Sequence, residues 1–163
     1  MKEERFNMGV VNTIGDFSVY RNDVATVDDA VKLSHGLYIE SGETFGFDEV
    51  AVRGFIVSVM HAGGLLLVAY SDSGPRGFLL AGRGFNPILG GVTAEEIAIF
   101  VHPNDRGGQL GSGLTDMFEA WGIGAGAKAL GVTVQDSINH DVTVRFFGRK
   151  GYRRQETKLI KEV

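Results

Sequence analysis

Residues 101–114 read Val-His-Pro-Asn-Asp-Arg-Gly-Gly-Gln-Leu-Gly-Ser-Gly-Leu. An apolar run, Ile97 to Val101, stops at Pro103. Glycines follow at 107, 108, 111 and 113, and a helix is expected to start near Gly111. Strand, glycine turn and helix start bring main-chain N–H groups together at the positive end of a helix dipole. Glycine lets an anion approach that backbone without a side chain in the way. The run reads as a grip for a diphosphate, and it places the chain among folds that pack helices on a sheet.

The chain has 163 residues, enough for one domain with a real core, and residues 1–15 read as a flexible N-terminal segment. Apolar residues make up 44% and charged residues 22%, as in an ordinary globular protein. A net charge of −4 gives no electrostatic reason to bind nucleic acid or an anionic membrane, and mildly favours a cationic substrate. Cysteine is absent. That removes disulfides, thiol catalysis and cysteine zinc sites, and fits a reducing cytoplasm. The charged start, Met-Lys-Glu-Glu-Arg, leads into no apolar signal core. The most hydrophobic stretch, Phe55 to Tyr70, is broken at Gly63-Gly64 and falls short of the about 20 residues a membrane span needs. His35, His61, His102 and His140 show no metal-ligand spacing, so no metal is expected.

Apolar periodicity and turn residues order the elements. Asp16 to Arg21 reads as a first strand. Asp28 or Asp29 caps a helix running to about Glu40, and 41–47 is a loop. Asp48 opens a second helix whose core stripe is Val50, Phe55 (with Ala51 and Val52 beside it), Ile56 and Val59. Leu65 to Ser71 is a strand, Asp72 to Pro75 a turn, and Phe78 to Ala81 the returning strand of a hairpin. Gly82 to Thr93 reads as a loop. Glu96 to Val101 is the strand before the glycine turn. A helix holding Leu114, Met117, Phe118 and Trp121 stops within Gly122 to Gly126, which follows a helix and so is no dinucleotide turn. Leu130 to Val134 is a strand, Asp141 or Asn139 caps a helix through Phe147, and Lys158 to Ile160 is a last strand. The order predicts an α/β or α+β domain around a mixed sheet.

At the glycine turn the chain resembles the GNAT superfamily of acetyl-CoA-dependent N-acetyltransferases. Their signature, Arg/Gln-x-x-Gly-x-Gly/Ala after a Val-x-Pro strand end, stands here as Arg106-Gly107-Gly108-Gln109-Leu110-Gly111. Gln109 replaces the usual glycine, and Gly108 lies one place earlier. A second segment also matches: Asn139, a short helix with the pair Phe146-Phe147, then Lys150-Gly151-Tyr152. The resemblance runs from about residue 16 to the end. It implies a mainly antiparallel central sheet with about four helices, acetyl-CoA as co-substrate, and an amine acceptor that is either a small molecule or a protein lysine or N-terminus. It also implies a homodimer.

The same resemblance assigns roles. Amides of Arg106, Gly107, Gly108, Gln109, Leu110, Gly111 and Ser112 would hold the diphosphate. Backbone groups of Ile99, Phe100 and Val101 would pair with the pantetheine amides as an added strand would. Asn139, with Phe146 and Phe147, would serve the pantetheine arm, and Arg145, Arg149 and Lys150 the adenosine phosphates. An attacking amine must lose a proton, and a carboxylate near the strand can take it. Glu95 and Glu96 open that strand; side chains alternate faces, so at most one of them faces the substrate, and Glu95 matches the family position better. His102 is a further candidate. A backbone N–H within Phe100 to His102 would stabilise the oxyanion. The family's leaving-group acid is a tyrosine where this chain has Phe147, so Ser137 or Tyr152 would substitute, or turnover would be weak. Gln109 and Phe147 together motivate the other reading, a non-catalytic CoA-binding or protein-interaction module.

Overall fold

The computed structural model describes residues 10–155 and 159–161. The chain divides into two compact units, 1–133 and 134–163. In the first, β1 (Asn12–Ile14) and β2 (Phe17–Arg21) precede α1 (Val27–Ser41) and α2 (Glu49–His61). Then come β3 (Leu65–Ser71), β4 (Gly74–Asn86), β5 (Gly91–Val101), α3 (Gln109–Gly124) and β6 (Ala129–Gly131). The strands form one sheet in chain order, antiparallel except for the parallel β5–β6 pair. This is an α+β fold, as the order of elements predicts.

β3 explains the layering. Its run Leu-Leu-Leu-Val-Ala is buried throughout, as a strand covered on both faces must be. Leu65, Leu67 and Ala69 join Leu79, Ala81 and Ala94 under Leu110, Leu114 and Phe118 of α3. Leu66 and Val68 turn the other way, with Phe78, Leu80 and Phe100, onto Val27, Ala30 and Val31 of α1 and Ile56 of α2. The period of two along the strand feeds two separate cores.

Several expectations are corrected. Residues 82–93 are not a loop: β4 runs on to Asn86 and β5 begins at Gly91, paired from Gly82↔Glu95 to Asn86↔Gly91. Glycine-rich composition disguised this hairpin, because main-chain pairing holds it and Phe85 and Ile88 stay exposed at its end. Neither Asp28 nor Asp29 caps α1. A single 3-10 turn, Val24–Thr26, precedes α1 and is capped by Asp23, whose carboxylate accepts from the Ala25 N–H at 2.9 Å. Asp48 does cap α2, accepting from the Ala51 N–H at 3.0 Å. In α2, however, Val50 and Phe55 are exposed, and the core side is Val52, Ile56, Val59 and Met60. The first strand is preceded by β1, which is too short to show a period. β6 is shorter than expected. Leu159 and Ile160 form no strand, and Lys158 lies outside the described residues.

Gly64 shows how tightly α2 is joined to β3. A Cβ there would stand 2.7 Å from the carbonyl oxygens of both Ala81 and Val59. Backbone cannot step aside as a side chain can, so Gly64→Ala is expected to lower unfolding free energy by about 1–3 kcal/mol in chemical denaturation. An unchanged midpoint would refute this close approach.

The second unit carries α4 (His140–Arg149). Asn139 precedes it in the left-handed region, φ 43°, which costs a non-glycine residue energy. Its side chain makes no capping bond; its carbonyl accepts from the Thr143 N–H at 3.0 Å. Phe147 is buried, edge-on to Phe146 at 5.0 Å and to Tyr152 at 5.3 Å.

Candidate active site

The end of β5 and the start of α3 form the bend at which the grip is expected. After Val101, His102 begins a tight turn over Pro103–Asp105. Arg76 fastens this turn, donating to Asp105 at 2.7 Å. His102 Nδ1 lies 3.1 Å from Arg76 Nη2 and accepts from the Asn104 N–H at 3.3 Å. His102 is thus committed to the turn, which argues against its use as a base.

Gly107 follows with φ +78°, a conformation that favours glycine, and α3 starts at Gln109, two residues earlier than expected. Gly108 is the N-cap and offers no side-chain cap. The first four N–H groups of an α-helix have no partner within it. Here those are Gly108, Gln109, Leu110 and Gly111, at the positive end of the helix dipole. Ser112 lies one step further, where its N–H joins the helical ladder, and Arg106 N–H already donates to the Pro103 carbonyl at 3.3 Å. The run of N–H groups without a helical partner is therefore narrower than residues 106–112. Residues 106–109 are exposed, so no other element of this unit covers the bend. The Gln109 carboxamide lies against the β1–β2 turn, with Oε1 3.2 Å from where a Cβ on Gly15 would stand. The glutamine that replaces the signature glycine does not plug the bend.

Beside the grip, one edge of β5 is open. β6 pairs with β5 only from Thr93↔Ala129 to Glu95↔Gly131. Beyond Glu95, β5 has no strand partner on that side among the described residues. His102 N–H donates to the Arg76 carbonyl at 2.8 Å, on the β4 side. Alternation along an antiparallel ladder then puts Phe100 on the β4 side as well and leaves Ile99 and Val101 facing the open edge. Of Ile99, Phe100 and Val101, the first and last turn their main-chain groups to that edge, where the Val101 carbonyl accepts from Arg106 Nε at 2.8 Å. Val101 is likewise the one residue in 100–102 whose N–H faces that edge.

The two glutamates are separated by a bulge. Ala98 pairs with Leu80 and Glu96 with Ala81, so Ile97 is an extra residue on β5. Ala94 and Ile99 both pack on the α3 side, although one position is even and the other odd. Glu96 shares that side with its partner Ala81 and is 5% exposed. Its carboxylate accepts from the Thr133 N–H at 3.2 Å. Burial in apolar surroundings pushes its pKa up to about 7; the Thr133 hydrogen bond opposes this and the Glu95 charge adds to it. Glu95 falls on the α1/α2 side and is exposed. Its carboxylate lies over Gly131, where any Cβ would run into it. Of the pair, Glu95 alone is exposed.

The side of the sheet that bears Glu95 is bordered by α1 and the 42–48 loop. That loop is held to α1 by Tyr38, whose hydroxyl accepts from the Gly46 N–H at 3.1 Å, and by Phe47 against the His35 ring at 4.8 Å. No metal-ligating group of three His, Asp or Glu residues occurs among the described residues, and no described helix is long and apolar enough to cross a membrane.

Solved structures share this architecture, two of them in complex with acetyl-CoA or CoA. A predicted acetyltransferase from Clostridium acetobutylicum, solved with acetyl-CoA, is 9% identical with a TM-score of 0.75, over 90% of this chain and 96% of that one. Aminoglycoside N-acetyltransferase AAC(6')-Iy in complex with CoA is 16% identical with a TM-score of 0.72, over 95% and 99%. The apo aminoglycoside 6'-N-acetyltransferase AAC(6')-Ig from Acinetobacter haemolyticus is 15% identical with a TM-score of 0.69, over 90% and 97%. No curated protein matches the chain by sequence. At these identities the structural likeness shows the fold alone; the sequence itself, over residues 32–152, matches the acetyltransferase (GNAT) family model, and the chain belongs to that family.

Proposed function

We propose that the protein moves an acetyl group from acetyl-CoA to a primary amine by direct attack within a ternary complex. The observation that carries this reading is the uncapped start of α3, with Gly108 and Gln109 exposed beside the open β5 edge. The donor set fits the group it would hold: amides for a diphosphate at the helix start, and an unpaired strand edge for an amide-bearing arm. The main chain of Ile99 would hold the pantetheine, and the amides at the start of α3 the diphosphate. Acetyl-CoA supplies the thioester. Asn139, its carboxamide uncommitted to a cap, is assigned to the pantetheine arm by family resemblance alone, as are Phe146 and Phe147. Arg145, Arg149 and Lys150 are assigned to the adenosine phosphates on the same basis.

Glu95 takes the proton of the amine, directly or through water, and the Val101 N–H meets the charge that develops on the carbonyl oxygen. Glu96 is buried, and its part is to fix the strand. Phe147 has no proton to give, so the thiol leaves as thiolate or is protonated by another group, Tyr152 or Ser137; a free thiol pKa of about 8.5 makes the thiolate tolerable.

The acceptor we favour is a small polycationic amine. From 33 to 52 the chain has no Lys or Arg, while Glu43, Asp48 and Glu49 line the segment that borders the Glu95 side. Two of the similar structures are named as aminoglycoside acetyltransferases, which agrees with that charge. Acetyl-CoA-dependent thiol release against aminoglycosides, polyamines, monoamines and lysine peptides tests the reading. Turnover is expected with polycations and falls for monoamines. Tight acetyl-CoA binding with silence across the panel would favour a non-catalytic module, for which Phe147 remains a motive and Gln109 no longer does.

A further inference from the structure

The Arg106 side chain does not reach toward the helix start it precedes. Its Nε donates to the Val101 carbonyl at 2.8 Å, and its Nη2 meets both carboxylate oxygens of Glu40 at 2.7 and 2.8 Å. The guanidinium also lies 5.4 Å from the Phe100 ring centroid. The two side chains of the ion pair are 32% and 26% exposed, so water screens it only in part. Phe100 in turn fits against Gly36 of α1, where a Cβ would stand 3.0 Å from the ring. Glycine is a poor helix former, and here its missing side chain permits this contact.

We propose that Glu40 is a positioning residue for coenzyme A: through Arg106 it fastens the diphosphate bend to α1 and to the end of β5. A planar guanidinium held by a carboxylate, a carbonyl and an aromatic face has few rotamers left. The residue that opens the bend is thereby fixed, and Gly107 and Gly108, the most flexible positions after it, start from a set direction. The side chain of Arg106 is a strut, and the phosphate-binding groups are main-chain N–H. Glu40 is also the last acidic residue before the 41–48 segment, so the donor bend and the acceptor border share one anchor.

The inference rests on the proposed use of coenzyme A, and calorimetry with coenzyme A alone separates the two. Wild type, Glu40→Gln, Arg106→Ala and the double variant are titrated, with thermal unfolding followed for each. Each single change is expected to weaken binding by about tenfold, about 1.4 kcal/mol of lost loop order. The double variant should bind no more weakly than the poorer single, because both remove one strut. Glu40→Asp, which keeps the charge at shorter reach, should fall between wild type and Glu40→Gln; it also serves if Glu40→Gln fails to fold. Unchanged or tighter binding by Glu40→Gln overturns the strut and makes Glu40 a competitor of the diphosphate for Arg106. Additive losses in the double variant overturn it too. A wild type that binds no coenzyme A overturns the strut and the proposed function together.

Discussion

Replacing Glu95 with glutamine is expected to cut turnover by roughly 10²–10⁴-fold, the range that removal of a general base typically costs. Coenzyme A affinity should hold, because the amides of 107–111 and the β5 edge are untouched. Glutamine keeps the volume that lies over Gly131 and loses only the ability to take a proton. The loss should shrink as pH rises and more of the amine is already deprotonated. Gly131→Ala tests the same placement from below: its methyl group would meet the Glu95 carboxylate and push it aside. That variant should lose turnover in the same direction without a change of charge. Full activity in Glu95→Gln would remove Glu95 from the chemistry.

Reading the same pair of glutamates from sequence shows where such reading stops. The bend before α3 was legible because glycines, Pro103 and a helix start carry their signals locally. β3 was legible because a strand buried on both faces is a plain apolar run. The β4–β5 hairpin was not, since Gly82, Gly84, Gly90 and Gly91 imitate a loop while the main chain pairs. Ile97 hid the most. A bulge has no residue signature of its own, yet it reverses which positions face α3. Counted back without it from Ile99 and Val101, Glu95 falls on the α3 side and Glu96 on the other, opposite to the structure. The match to the family position favours Glu95, the member of the pair that the structure leaves exposed. Arg106 was legible as part of a motif, whereas its side-chain partner Glu40 stands 66 residues away and nothing local announces it.

The buried member of the pair makes the second large prediction. Burial raises the Glu96 pKa from 4.5 to about 7 in the folded chain. Below about 4.5, folded and unfolded chains both hold the proton. Between there and about 7, the unfolded chain has released it while the folded chain keeps it, so stability falls as pH rises; above about 7 the loss is complete. A difference of that size corresponds to on the order of 3 kcal/mol. Glu96→Gln removes this titration while its amide oxygen can still accept from Thr133. Relative to wild type, the variant should therefore gain on the order of 3 kcal/mol between pH 4 and pH 8, read by denaturant unfolding at each pH. The comparison across pH matters more than either end, because the added NH₂ of glutamine costs the same throughout. In Glu95→Gln the negative neighbour is gone, and the upper edge of the window should move down. Parallel stability curves for wild type and Glu96→Gln would show that the carboxyl is ionised in the folded chain, and with it that water reaches the junction of β5 and β6.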